Sequence, residues 1–150
     1  YEQHYWQLMC AKIGLEFTPA AQQLVQRYLN LMQAYQVDYT LAFRVLADGD
    51  VQRAAPLFQH QDDWQLWYQD WQQQVTPQAV AQLAQRNPAY IPRNHLVERA
   101  IQEASQSGDL TYFNRLQQIL AHPYEERLEC QAELQPARPD QAVTHTFCGT

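Results

Sequence analysis

Near the end of the chain, His145 and Cys148 stand three residues apart in HTFC, a spacing at which imidazole and thiolate can share a metal ion. Two ligands make half a site, and no second pair accompanies them. His4, His60, His95 and His122 fall singly, without an HExxH pattern. Cys148 leaves two readings open. As a thiol with no obvious neighbour to bury it, it is open to attack and oxidation, and a protonated His145 would lower its pKa. The other reading is an idle tail cysteine.

The remaining candidates weaken on inspection. Asp62-Asp63 could act as an acid/base pair, but it precedes a tryptophan-rich run and better fits charge placed against a helix dipole. Asp48-Gly49-Asp50 lacks the alternating ligands and terminal glutamate of a calcium loop and reads as a helix stop and start. Glu125-Glu126 reads as a solvated face. Ser105 and Ser107 sit in a turn without a nucleophile elbow. The four glycines, Gly14, Gly49, Gly108 and Gly149, are isolated, so neither a P-loop nor a dinucleotide fingerprint can be assembled.

The elements that must carry these residues are helices. Tyr5, Leu8, Met9 and Ile13 lie on one face of a first helix ended by Gly14, with Cys10 a buried, inert thiol on the Trp6/Ile13 side. Thr18-Pro19 and Thr76-Pro77 each read as N-cap plus first helical residue, because proline lacks only an N–H that the first turn leaves unused. Leu24, Val25, Tyr28, Met32 and Tyr35 continue one stripe. Asp38 caps a third helix with Tyr39, Ala42, Phe43 and Leu46 inward, and a short turn holds Val51, Ala54 and Phe58. Trp64, Trp67, Tyr68 and Trp71 recur at i, i+3, i+4 and i+7. Core is the expected role of that stripe, and a sugar- or peptide-binding platform is the alternative. Leu96, Val97, Ala100, Ile101 and Ala104 define a later helix, and Phe113, Leu116 and Leu120 another.

The expected architecture is all-α. A compact array of about seven or eight helices spans residues 1–122, and an extended tail with Pro136 and Pro139 spans 123–150. One domain of 150 residues buries roughly 70% of its unfolded surface, and the 46% apolar content suffices for a core. Net charge is −6 with Lys12 the only lysine, which excludes a cationic nucleic-acid or membrane-surface patch. Three scattered cysteines point to a reducing, cytoplasmic setting. Tyr1 lies inside an amphipathic pattern, so the chain is expected to be cut from something longer.

NPAYIPRNHLVERAI from Asn87, a Gly108-Asp109 turn, Phe113, Leu116, Leu120 and His122-Pro123-Tyr124 resemble the C-terminal region of the YdiU/selenoprotein O family. Ala11–Leu15 (AKIGL), Asp38–Asp50 (DYTLAFRVLADGD) and the terminal TFCGT agree in the same order. The resemblance implies a protein adenylyltransferase with a pseudokinase-type fold, which binds ATP in reversed orientation and transfers AMP to protein hydroxyls. It also implies that the catalytic lysine, its glutamate partner and the Asn/Asp metal ligands lie upstream. No catalytic, cofactor-binding or metal-binding residue is therefore assigned here, and ATP with Mg or Mn would belong to the full-length parent. The expected partners are the upstream kinase-like lobe of the same polypeptide and the parent's protein substrates.

By the same resemblance Cys148 occupies a redox position, filled by selenocysteine in many eukaryotic members, which pairs in a disulfide with a cysteine of the catalytic region. Family chains usually continue to a final serine, whereas this one stops at Thr150. Arg93, Asn94 and His95 are candidate structural anchors for the tail or the catalytic lobe, set against a reading as plain surface. The alternative function is a free-standing helical interaction module that binds through exposed tryptophans.

Overall fold

A computed structural model describes residues 2–49, 51–59 and 62–141, and the regular structure among them is entirely helical. The α-helices are α1 (Glu2–Lys12), α2 (Pro19–Ala34), α3 (Tyr39–Val45), α4 (Val51–Ala54), α5 (Asp62–Gln74), α6 (Pro77–Arg86), α7 (Asn94–Ser107), α8 (Thr111–Leu120) and α9 (Gln131–Leu134). Short 3-10 turns follow α3 and α4 and precede α9.

Local chemistry sets the starts. The Thr18 and Thr76 hydroxyls accept from Ala21 N (3.0 Å) and Ala79 N (3.2 Å), and the Asp38 carboxylate accepts from Leu41 N (2.9 Å). Each bond satisfies one amide that the first turn leaves open. Gly14 ends the turn after α1 at φ +77°, where an added Cβ would stand 3.1 Å from Val75 Cγ2. Both the dihedral and the space favour glycine there.

The chain divides into two compact units, residues up to Ala89 and residues from Tyr90 onward. The first packs α1 against α2 and α6, and α2 against α5, around an aromatic core. Tyr28 stacks on Trp67 with ring centroids 4.0 Å apart, and Phe58 stacks on Trp64 at 5.3 Å. The polar tips of this core find carbonyls: Trp67 Nε1 donates to Leu24 O (2.8 Å), Trp71 Nε1 to Ile13 O (2.8 Å) and Tyr28 Oη to Ala42 O (2.6 Å). Trp64 Nε1 is buried with no acceptor among the described residues. In the second unit Leu96, Ala100, Tyr112 and Leu116 close the α7/α8 pair, and Tyr90, Ile119, Cys130 and Leu134 are buried as well.

Two expectations need correcting. Of the residues expected on one face of α1, Met9 and Ile13 are buried beside Cys10, whereas Tyr5 and Leu8 are exposed. Tyr39, expected inward, is exposed at the start of α3. Ile101 and Phe113, members of the apolar sets that define α7 and α8, are exposed too. After Pro123, Leu128–Cys130 forms a 3-10 turn running into α9.

Candidate functional site

The densest polar arrangement of the first unit lies where α6 ends. Asn87 is fully buried there, with extended backbone, and its N–H donates to Leu83 O at 2.8 Å. Its side-chain Nδ2 donates to Lys12 O (2.8 Å) and Phe43 O (3.3 Å), while Oδ1 accepts from Lys12 Nζ (3.2 Å). Arg44 Nη1 closes the group by donating to Ala84 O (2.8 Å) and Asn87 O (3.1 Å). The last carbonyls of α6, which no helical amide can reach, are thus met by a guanidinium. Burial pushes the Lys12 ammonium pKa down, and the cation lies 4.9 Å from the Phe43 ring centroid. The AKIGL, DYTxxFR and NPxY segments therefore converge on one buried polar knot.

In the second unit, Tyr90 and Arg93 fasten the stretch that follows α8. Tyr90 N donates to Pro123 O (3.1 Å), and the Tyr90 hydroxyl accepts from Arg127 N (2.9 Å). Arg93 is buried, and its Nη2 donates to Leu134 O at 3.0 Å. Arg115 grips Glu133 with two bonds, Nε to Oε1 (2.9 Å) and Nη2 to Oε2 (3.2 Å), and donates to Glu129 O at 2.6 Å. Burial alone would push the Glu133 carboxyl up, but the Arg115 bonds and charge outweigh it and leave the pKa below the ordinary glutamate value.

Asn94 is the exposed first residue of α7, and no side-chain cap precedes it. His95 is half-buried and borders a cleft of about 620 Å³ with Arg99, Tyr112, Glu133 and Arg138. Burial, followed by the Arg93 and Arg138 charges, lowers its pKa, which favours a neutral imidazole. The cleft's other charges are already matched: Arg99 with Glu103 (2.7 Å), Glu133 with Arg115, and Arg138 with Asp140 (3.1 Å). The Arg99 guanidinium also lies 3.8 Å over the Tyr112 ring. Arg93 and His95 thus share one unit, while His145 and Cys148 lie outside the described residues, as does Asp50 of the DGD turn.

The tryptophan stripe is core, with Trp64, Trp67, Tyr68 and Trp71 all buried. A binding platform built on it is ruled out in this fold. The Asp63 carboxylate accepts from Tyr35 Oη (2.8 and 2.9 Å) and from Trp64 N (2.8 Å), which makes it a helix-start residue. Cys10 and Cys130 are free and buried, and burial pushes the Cys10 thiol pKa up, away from reactivity. Among the described residues no group of three His, Cys, Asp or Glu side chains could hold a metal ion, and no helix is long and apolar enough to cross a membrane.

Lys12, Asn87, Arg44 and the Arg115–Glu133 pair were not singled out by sequence reasoning. Asn87 carried one usable signal. An asparagine between a helix and a proline is free to turn its amide onto backbone groups.

Comparison with known proteins places these contacts in context. The family model described as Protein adenylyltransferase SelO matches residues 1–121. The chain is 36% identical to the protein nucleotidyltransferase YdiU of Maridesulfovibrio salexigens, 40% to that of Rhizobium etli and 35% to that of Bacillus mycoides. Each comparison covers 100% of the chain but only 32% of the relative. The chain therefore spans about a third of the length of the curated relatives it matches.

Proposed function

The chain belongs to the SelO/YdiU family, and on that premise we propose that it is the C-terminal helical segment of a longer protein adenylyltransferase. The parent transfers AMP from ATP to Ser, Thr or Tyr hydroxyls of proteins. This segment supplies scaffold, not transfer chemistry. The observation that carries the reading is the use of its buried polar groups: Asn87, Arg44 and Arg93 are bonded to backbone carbonyls, and Glu133 to Arg115. Groups spent in this way order helices, whereas a triphosphate needs clustered amides or cations turned toward it. ATP and the divalent metal, Mg or Mn, are held by residues of the parent outside this chain. The donor set of the described residues offers no metal site to receive the ion.

Arg93 acts as an anchor for the segment that ends in α9, and His95 lines the neighbouring cleft. Cys148 serves as the redox position. By exchange with a small-molecule disulfide, its thiol and that of a cysteine of the catalytic region form one S–S bond. The two electrons and two protons they give up leave on the oxidant as two thiols. Two free, buried cysteines support a reducing, cytoplasmic setting. The reading as an independent interaction module loses its carrier, since the tryptophans that would bind a partner are buried.

Incubation with ATP labelled in its adenylyl part, plus Mg or Mn, tests the assignment. Label should appear on protein with the full-length parent and not with this chain. Transfer by this chain alone would overturn the reading. For Cys148, the parent and its Cys148→Ser variant should differ in thiol state and activity under oxidising conditions. Identical behaviour would remove the cysteine from the mechanism.

A further inference from the structure

We propose that the outward face of α1, with the start of α3, is the seat on which the preceding part of the same polypeptide packs. The occupant presents an apolar surface edged by a carboxylate. This inference rests on the reading of the chain as a C-terminal segment and deepens it by naming the surface that joins the two parts.

Helix α1 carries apolar side chains on two sides. Met9, Cys10 and Ile13 enter the core, while Tyr5 and Leu8 are left 45% and 55% exposed. Its other exposed positions, Glu2, Gln3, His4 and Gln7, are polar, so the uncovered apolar side chains of this helix are Tyr5 and Leu8. Tyr5 lies near Tyr39, itself 47% exposed, and Leu8 stands one turn from Tyr5 on the same helix. The Tyr39 hydroxyl reaches Met9 Sδ at 3.5 Å, and Lys12 Nζ lies 5.7 Å from the Tyr39 ring centroid.

Leu66 makes the contrast plain. It is 59% exposed on α5, but its neighbours on that surface are Asp62, Asp63, Gln65, Gln69 and Asp70. Leu8 also has polar neighbours in His4, Gln7 and Lys12, but exposed Tyr5 lies one turn away on the same helix and exposed Tyr39 lies beyond it. Leu66 has no such aromatic company. Exposed aromatic and aliphatic groups gathered together mark an interface.

Two observations select the occupant. About two thirds of the length of the matched relatives lies outside this chain, so a large partner surface is covalently at hand. Lys12, at the edge of the patch, has Asn87 and two aromatic rings as neighbours but no carboxylate among the described residues. A half-buried ammonium gains most from an opposite charge brought by the surface that covers it.

Leu8 and Leu66 share residue type and near-equal exposure, which makes them a matched pair for hydroxyl-radical footprinting of the full-length protein. Leu8 should oxidise several-fold more slowly than Leu66, at all protein concentrations. Equal rates would overturn the proposal. Protection of Leu8 that disappears on dilution would assign the face to a second copy and overturn the stated occupant.

Leu8→Glu should lower the thermal midpoint of the full-length protein, and Leu66→Glu should not. Equal shifts would count against the seat, and the wild-type footprint remains decisive if Leu8→Glu fails to fold. Carbodiimide coupling should join Lys12, the only lysine here, to a carboxylate of the preceding part, and absence of that product would overturn the charge assignment. None of these readouts depends on AMP transfer, so the docking seat and the proposed activity fail separately.

Discussion

The two units are held by different means. Up to Ala89, stacked aromatic side chains fill the interior, and their polar tips are bonded to backbone carbonyls. From Tyr90 onward the buried apolar side chains, among them Tyr90, Leu96, Tyr112, Leu116, Ile119 and Leu134, are joined by guanidinium groups that bind the later segments through Leu134 O, Glu129 O and the Glu133 carboxylate. Apolar burial is indifferent to pH, whereas an ion pair is lost when its carboxylate takes up a proton. All four tryptophans, at positions 6, 64, 67 and 71, belong to the first unit, so their fluorescence reports on that unit alone.

The largest effect that would break the contrast is Trp67→Ala. It removes the Tyr28 stacking partner and opens a cavity, with an expected loss of about 3–5 kcal/mol in denaturant titrations followed by fluorescence. Asn87→Ala should follow at about 2–3 kcal/mol. It strands Lys12 O and Phe43 O in a buried place, although only one small side chain is lost.

In the second unit, Arg115→Met leaves Glu133 buried without its cation. An expected cost of roughly 1–3 kcal/mol allows for the partial exposure of Arg115. The sign with pH follows from the depressed Glu133 pKa. The pair's stabilisation is present above the ordinary glutamate value and disappears as pH falls through the lower folded value. Acidification should therefore lower the helical circular-dichroism signal of wild type before tryptophan fluorescence moves, and Arg115→Met should abolish that early step. Simultaneous loss of both signals would remove the distinction between the units.

The smallest effect sharpens the comparison within one helix. Trp67→Phe removes an indole donor bonded to Leu24 O, whereas Trp64→Phe removes one with no acceptor. The first should cost about 1 kcal/mol more than the second by equilibrium unfolding.

What could be read from sequence follows the range of the interaction. Thr18, Thr76 and Asp38 were legible as caps because each bond closes within three residues. The tryptophan stripe was legible because its period repeats within a single helix. The inward side of α1 was not, because two apolar stripes offer the same periodicity and only the tertiary fold chooses between them. Helix α9 has four residues, too few to show a period, and bonds from Arg93 and Arg115 hold its neighbourhood from 41 and 18 residues away. The role of Asn87 was hidden for a similar reason, since its side-chain partners lie 75 and 44 residues back. The family segments could be matched in order without showing that three of them meet.

The 75-residue separation between Lys12 and Asn87 has a consequence for biosynthesis. Chain emerges from the ribosome amino end first, so α1 is made long before the amide that binds its last turn. Closing so wide a loop costs entropy. Helix α1 can pack on α2 early, but the bonds that tie its last turn to Asn87 must wait until translation has passed the end of α6.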